Sequence, residues 1–270
     1  MANKKNMAKT LETCWRYNTE LMGAPLRLLK YSAGLQQRTN KQHFLVACMP
    51  KSGSTYFSSI VECLPNVHRR DLCGGYGRRE QELDPLRLIL NHPANYVGQL
   101  HVRCSDQTER LMTDFSITPV VLVRNIFDII VSLRDHCKRE TLDWSSMGYA
   151  YPFMAGWDHE RLEFFLANMF IPWYFNFFLT WKNSDFGYFE TYENLISDPR
   201  STLARLLKVN GSQYSSADIS RAIELAGGVD TRRNVGEVGR GGGLSDAAKD
   251  RILEMANFYE DEDFSILGIS

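Results

Sequence analysis

The chain has 270 residues, 44% hydrophobic and 23% charged, which is enough apolar material for one large α/β domain or two small ones. Nothing resembling a linker divides it, so a single domain over 1–270 is preferred, with its core at about 41–260. The net charge of −1 excludes a global basic field of the kind that draws nucleic acid or an anionic membrane, so the basic groups that matter act locally. The six cysteines, at 14, 48, 63, 73, 104 and 137, show no close pairs of the metal-site or redox type and read as reduced thiols of a cytoplasmic protein.

Residues 1–10 carry charge with no apolar stretch after them, so no export signal is expected; residues 8–38 read mainly as helix, broken near Gly23-Ala24-Pro25, within an N-terminal helical segment 1–40. His43 to Met49 then reads as a buried strand that stops at Pro50, turns through Ser52-Gly53-Ser54 and opens a helix at about Thr55. Such a turn aims several backbone N–H groups at one point, and the helix dipole adds positive potential there. Gly53 lets the main chain approach a ligand, Lys51 adds a mobile full charge, and the Ser54 and Thr55 hydroxyls are further donors, so the turn suits phosphate or sulfate. Taken alone, the same composition also fits an ordinary strand-to-helix turn. The nucleotide-triphosphate pattern G-x-x-x-x-G-K-[ST] is absent, because Lys51 precedes the glycine.

Residues 65–82, with Arg69, Arg70, Arg78 and Arg79, read as a polar loop. Tyr96 to His101 reads as a third short strand. Thr118 to Val123 is a β-branched interior strand ending on Arg124, and Ile126 to His136 follows as a helix carrying Ser132 two turns in. A magnesium-dependent enzyme of this kind usually needs an acidic residue at that strand end, whereas a guanidinium makes a second anion clamp. Two anion sites on neighbouring crevice walls fit a ligand phosphorylated at two places; a salt bridge from Arg124 to Asp128 is the competing reading.

The span from Trp144 to Trp181 is aromatic throughout. Residues 162–181 are long enough to cross a bilayer, but Glu163, Asn168, Pro172 and Asn176 interrupt them, so a buried helix before a strand from Phe186 to Tyr192 is expected. Residues 141–159 suit either a lid over an apolar acceptor or core packing. Towards the end, Thr231 to Gly243 is rich in donors and glycine, and Ser245 to Phe258 reads as a helix with Ser245 as N-cap.

Pro50-Lys51-Ser52-Gly53-Ser54-Thr55-Tyr56 is similar to the 5′-phosphosulfate loop P-K-[ST]-G-[ST]-[ST]-W of the sulfotransferases, which use 3′-phosphoadenosine 5′-phosphosulfate (PAPS) and release adenosine 3′,5′-bisphosphate (PAP). Val121 to Asp128 with Ser132 resembles the family's 3′-phosphate strand and helix, Tyr192-Glu193-Asn194-Leu195 its Y-E-[DN]-L segment, and Asn234 to Arg240 its C-terminal glycine-rich loop. The resemblance implies a P-loop-like α/β fold of three layers, a parallel sheet flanked by helices with strands beginning near 43, 97, 118 and 186. It implies that Lys51, Ser52, Gly53, Ser54, Thr55, Tyr56, Arg124, Ser132, Tyr192, Arg232, Arg233, Asn234 and Gly236 bind the cofactor, and that Lys51, His101 and Ser132 serve catalysis, His101 standing at the histidine of the family's K-T-H segment as base. Two departures stand out: Gln99 replaces the lysine of that segment, and Asn234 falls where many members carry arginine, so that Arg232 or Arg233 has to compensate.

The implied reaction is sulfuryl transfer to an acceptor hydroxyl or amine without a metal. A small-molecule kinase using ATP and magnesium, and a non-catalytic nucleotide- or partner-binding module, stay open as alternatives. The acceptor is also open among small molecules, lipids, glycans and carrier-bound chains, as is a homodimer; nucleic acid and a transmembrane segment are not expected.

Overall fold

The computed structural model describes residues 39–74, 81–139, 148–186, 188–228 and 236–270. The N-terminal helical segment 1–38, Arg78 and Arg79, residues 141–147 of the expected lid, and Arg232, Arg233 and Asn234 lie outside the described residues. Five strands form one parallel sheet in the order β2-β3-β1-β4-β5: β1 is His43–Cys48, β2 His68–Arg69, β3 Tyr96–Leu100, β4 Thr118–Val123 and β5 Phe189–Thr191. Phe44 stands opposite Val97 on one side and Thr118 on the other, so β1 is the central strand.

The apolar runs of β1 and β4 are buried on both faces, as parallel strands covered by helices must be. Leu45, Ala47, Val121 and Val123 point into one core, and Phe44, Val46, Val120 and Leu122 into the other. Helix α1 (Ser54–Glu62), α6 (Tyr192–Ser197), α7 (Pro199–Val209) and α8 (Ser216–Gly227) feed the second core. The first takes α2 (Pro85–Asn91), α3 (Asp106–Asp114), α4 (Ile126–Arg139), α5 (His159–Lys182) and α9 (Asp246–Ala256), which completes three layers. The chain leaves β1 towards β3 on one side and reaches β4 on the other, so the strand order reverses at the carboxyl end of β1 and opens a crevice there.

By length and composition alone α5 is apolar enough to cross a bilayer; here it packs along α4 and α9 with Leu166, Phe170, Tyr174, Phe177 and Trp181 inside the core. Its indole-bearing end is tied down where Trp181 Nε1 donates to the Val102 carbonyl at 2.9 Å.

Four boundaries differ from the sequence-based expectation. His68 and Arg69, within the expected loop, form an edge strand because the His68 N–H donates to the Asn95 carbonyl and the Arg70 N–H to that of Val97. The last strand is only Phe189–Thr191, since the Thr191 hydroxyl accepts from the Asn194 N–H and starts a helix at Tyr192. β3 ends at Leu100, one residue before His101. Ser245 occupies the N-cap position of α9 without a side-chain cap, its N–H donating instead to the buried Glu163 carboxylate, and the helix ends at Ala256.

Gly98 in β3 leaves just enough room for Leu72: a Cβ there would sit 2.8 Å from Leu72 Cγ, and Leu72 is fully buried. Gly98→Ala is therefore expected to overpack the first core and destabilise the protein by about 1–3 kcal/mol, read from the midpoint of urea unfolding at unchanged slope.

Candidate active site

The crevice at the end of β1 is built on four successive carbonyls, each held by a side chain. His101 Nδ1 lies 2.8 Å from the Cys48 carbonyl, and the Ser52 hydroxyl donates to that of Met49 at 2.6 Å. The Tyr174 hydroxyl of α5 donates to the Pro50 carbonyl at 3.1 Å, and Arg124 Nη1, just past β4, donates to that of Lys51, also at 3.1 Å. With these oxygens engaged by protein donors, none of the four carbonyls is left as a free acceptor beside the start of α1. Gly53, with φ +79°, caps α1 and offers no side-chain acceptor, so the first-turn amides keep their donor capacity. Lys51 itself sits at φ +68°, a left-handed conformation costly for a residue with a Cβ and found at sites where the surroundings impose it.

Gly53 also serves the packing beneath the turn. A Cβ on it would meet the Tyr192 ring at 2.6 Å, so the missing side chain makes room for the tyrosine. Tyr192 in turn carries the Arg124 guanidinium on its face, 4.0 Å from the ring centroid. The Lys51 turn and Arg124 are thus contiguous, with Tyr192 packed between Gly53 and Arg124. Ser52 holds the turn itself, its N–H and its hydroxyl both donating to the Met49 carbonyl. Ser54 is buried and linked to Gln99, Thr55 is half-buried, and Tyr56 leans on the α1-side core.

Arg124 is 5% exposed and has three orienting contacts besides the ring: the Lys51 carbonyl, the Glu237 carbonyl at 3.0 Å and Asp128 at 3.3 Å. Salt bridge and anion clamp are therefore not exclusive. Its Nε–H remains buried without a partner, a donor whose burial is costly unless a ligand meets it. Asp128, 1% exposed, also accepts from the Gly239 N–H at 2.9 Å and the Gly241 N–H at 2.6 Å, so it docks the C-terminal glycine segment onto α4. Ser132 follows one turn later and is buried on the helix face given by this spacing, and Arg240 pairs with Asp135 further along α4. Gly236, at φ +74°, leads into the segment immediately before Glu237.

His101 is half-buried, and its backbone N–H donates to Gln81 Oε1 at 2.6 Å. A carbonyl oxygen can only accept, so the ring proton sits on Nδ1, facing Cys48, and the lone pair on Nε2. Burial lowers the imidazole pKa from 6.5, the nearby Lys51 charge lowers it further, and the bond to the Cys48 carbonyl opposes both. The ring is accordingly neutral at physiological pH. Cys48 beside it is inert, its thiol pushed up to about 12 by burial.

Sequence reasoning treated Asp128 only as a competitor for Arg124 and missed its hold on the glycine segment, 111 and 113 residues away. It also missed Tyr174 and Gln81; neither has a local signal, since each acts through a single long-range bond. Of the expected lid, the described part runs past Gly148, which lies against Met169 and Phe170 one turn before Tyr174. It continues as a chain of rings, Tyr149, Tyr151, Phe153 and Trp157, of which Phe153 is 65% exposed.

Removing the Asp128 carboxylate would leave a buried guanidinium uncompensated and free the glycine segment. Asp128→Ala is expected to cost about 3–5 kcal/mol in chemical unfolding and to open residues 236–243 to limited proteolysis.

No protein-family model matches the chain, and no curated protein matches its sequence. Solved structures do. A mouse sulfotransferase complexed with PAP superposes with a TM-score of 0.58 at 15% identity, covering 88% of this chain and 90% of that one. Retinol dehydratase, in complex with androsterone and the inactive cofactor PAP, gives a TM-score of 0.51 at 15% identity, with 82% of each chain covered. The same enzyme with retinol and PAP gives 0.51 at 16% identity over 84% of each chain. The five-stranded parallel sheet with its flanking helices is the sulfotransferase fold.

Proposed function

We propose that the protein is a sulfotransferase that moves the sulfuryl group of PAPS to an acceptor hydroxyl, or to an amine, by in-line displacement. The observation that carries this reading is the junction of Lys51 and Arg124: an uncapped helix start preceded by carbonyls all engaged by protein donors, joined to a buried guanidinium with an unpartnered Nε–H. A nucleotide bearing phosphates at both 3′ and 5′ satisfies both ends. The PAP found in the fold's solved representatives supports the same ligand.

In this reading the first-turn amides of α1 and the Lys51 ammonium hold the 5′ end and neutralise the oxygen that departs with PAP. Arg124, with Ser132, takes the 3′-phosphate, and Asp128 and Tyr192 fix the guanidinium in place. Gly236 is assigned to cofactor binding with them, as are Arg232, Arg233 and Asn234 by the resemblance of their sequence. His101 Nε2 accepts the proton of the acceptor hydroxyl as it attacks, and the Cys48 carbonyl stabilises the Nδ1–H of the imidazolium that results. Sulfuryl transfer develops less charge than phosphoryl transfer, so these donors suffice electrostatically.

Calorimetric titration with PAP against ATP plus magnesium tests the donor: PAP is expected to bind and ATP to compete poorly, whereas preferential magnesium-dependent ATP binding would point to a kinase. His101→Ala is expected to lower turnover by about 10²–10⁴-fold while PAP affinity stays near wild type; turnover that survives would remove His101 from the mechanism. The base must be unprotonated to act and its pKa is lowered, so kcat/KM should fall only on the acid side of 6.5 and stay level through neutrality, as read from a pH–rate profile.

A further inference from the structure

Position 99 carries a neutral amide immediately beside the donor turn, and its side chain is linked on both sides. Gln99 Nε2 donates to Ser54 Oγ at 2.9 Å, and Gln99 Oε1 accepts from Ser58 Oγ at 2.9 Å. Ser58, one helical turn below Ser54, accepts in turn from Arg69 Nη2 at 2.5 Å, while its own proton is shared with the Ser54 carbonyl at 2.7 Å. Arg69 is placed by the edge strand β2, with Glu62 at 3.2 Å and Ser59 as its other neighbours. The donors therefore run in one sense, Arg69 to Ser58 to Gln99 to Ser54. Because the Ser54 oxygen accepts from Gln99, its own hydroxyl hydrogen is left for another acceptor: the buried Cys48 thiol adjoins both Ser54 and Gln99, and an anion held at the start of α1, of which Ser54 is the first residue, would compete with it.

We propose that Gln99 is a positioning residue for the donor site: it orients the Ser54 hydroxyl towards the bound anion and couples it to the Arg69 guanidinium. The cation lies outside the site and acts by polarising a hydrogen-bond chain, which strengthens each member in a poorly hydrated setting. This inference rests on the donor site proposed above. It assigns a role to Arg69, otherwise an edge-strand residue, and explains why an uncharged side chain at position 99 is compatible with an anion beside it.

A double-mutant cycle tests it. Gln99→Leu and Ser54→Ala are each expected to weaken PAP binding by about tenfold, the scale of one hydrogen bond to a charged group, and the double variant to bind no worse than Ser54→Ala alone. Gln99→Lys, which can still donate to Ser54, should restore affinity to within about threefold of wild type, a recovery that a purely structural role for the amide would not produce. Additive losses, or Gln99→Leu binding like wild type, would overturn the relay. Arg69→Gln provides a second reading at the half-exposed end of the chain should Gln99→Leu fail to fold: a weaker PAP complex with unchanged melting temperature supports the relay, and unchanged affinity rejects it. Titration of the same variants with inorganic phosphate separates the two levels of the inference. Phosphate binding that depends on Gln99 in a protein that ignores PAP would keep the relay and discard the nucleotide, whereas a wild-type protein that binds neither would discard both.

Discussion

The site depends on how one short stretch of main chain is held. Between Cys48 and Lys51 the chain stops being a strand and has not yet become a helix, so its carbonyls lack the ladder partners that β1 enjoys above them. A buried carbonyl without a donor is costly, and here four elements each contribute one: the end of β3 through His101, the turn through Ser52, α5 through Tyr174 and the end of β4 through Arg124. The same four bonds satisfy the turn, draw the candidate base and the second cation to it, and leave none of the four carbonyls as a free acceptor beside the crevice. Stability and binding potential thus share one cause.

Charge is arranged around that turn by exclusion as much as by attraction. Arg124 is almost completely buried, which is tolerable only because Asp128, two carbonyls and a tyrosine face surround it. Pairs of this kind contribute little net stability compared with apolar packing, and their value lies in fixing geometry before a ligand arrives. Asp128 adds a second task by gathering the amides of Gly239 and Gly241, so the C-terminal segment is registered on α4 by the same carboxylate that orients the guanidinium. Local packing also explains Gly241: a Cβ there would sit 2.5 Å from that of Phe127.

What could be read from the sequence follows the range of the interactions. The apolar runs of β1 and β4, the Pro50 to Tyr56 turn and the charge at Arg124 are written in consecutive residues, so the sheet, the turn and the guanidinium just past β4 were legible. The aromatic run of α5 was legible as a core helix because its polar residues interrupt it at intervals unsuited to a bilayer. The two-residue strand at His68 has no apolar pattern, being exposed at the sheet edge, and its pairing is visible only once β3 is in place. Ser52 and Gly53 have the residue types of ligand contacts, and in the fold one also ties down a carbonyl while the other also yields space to Tyr192; composition does not show which neighbours such a residue meets.

The hydrogen bond between His101 and Cys48 ends on backbone, not on a side chain. An imidazole oriented by an aspartate can be retuned by a single codon change, since the partner may become asparagine or disappear. Here the partner is the peptide unit that closes the central strand, and no substitution at position 48 deletes its oxygen. Which nitrogen carries the hydrogen is inherited from the path of the chain, so evolution or design can tilt the ring or change its surroundings but cannot reverse its tautomer without rerouting the strand.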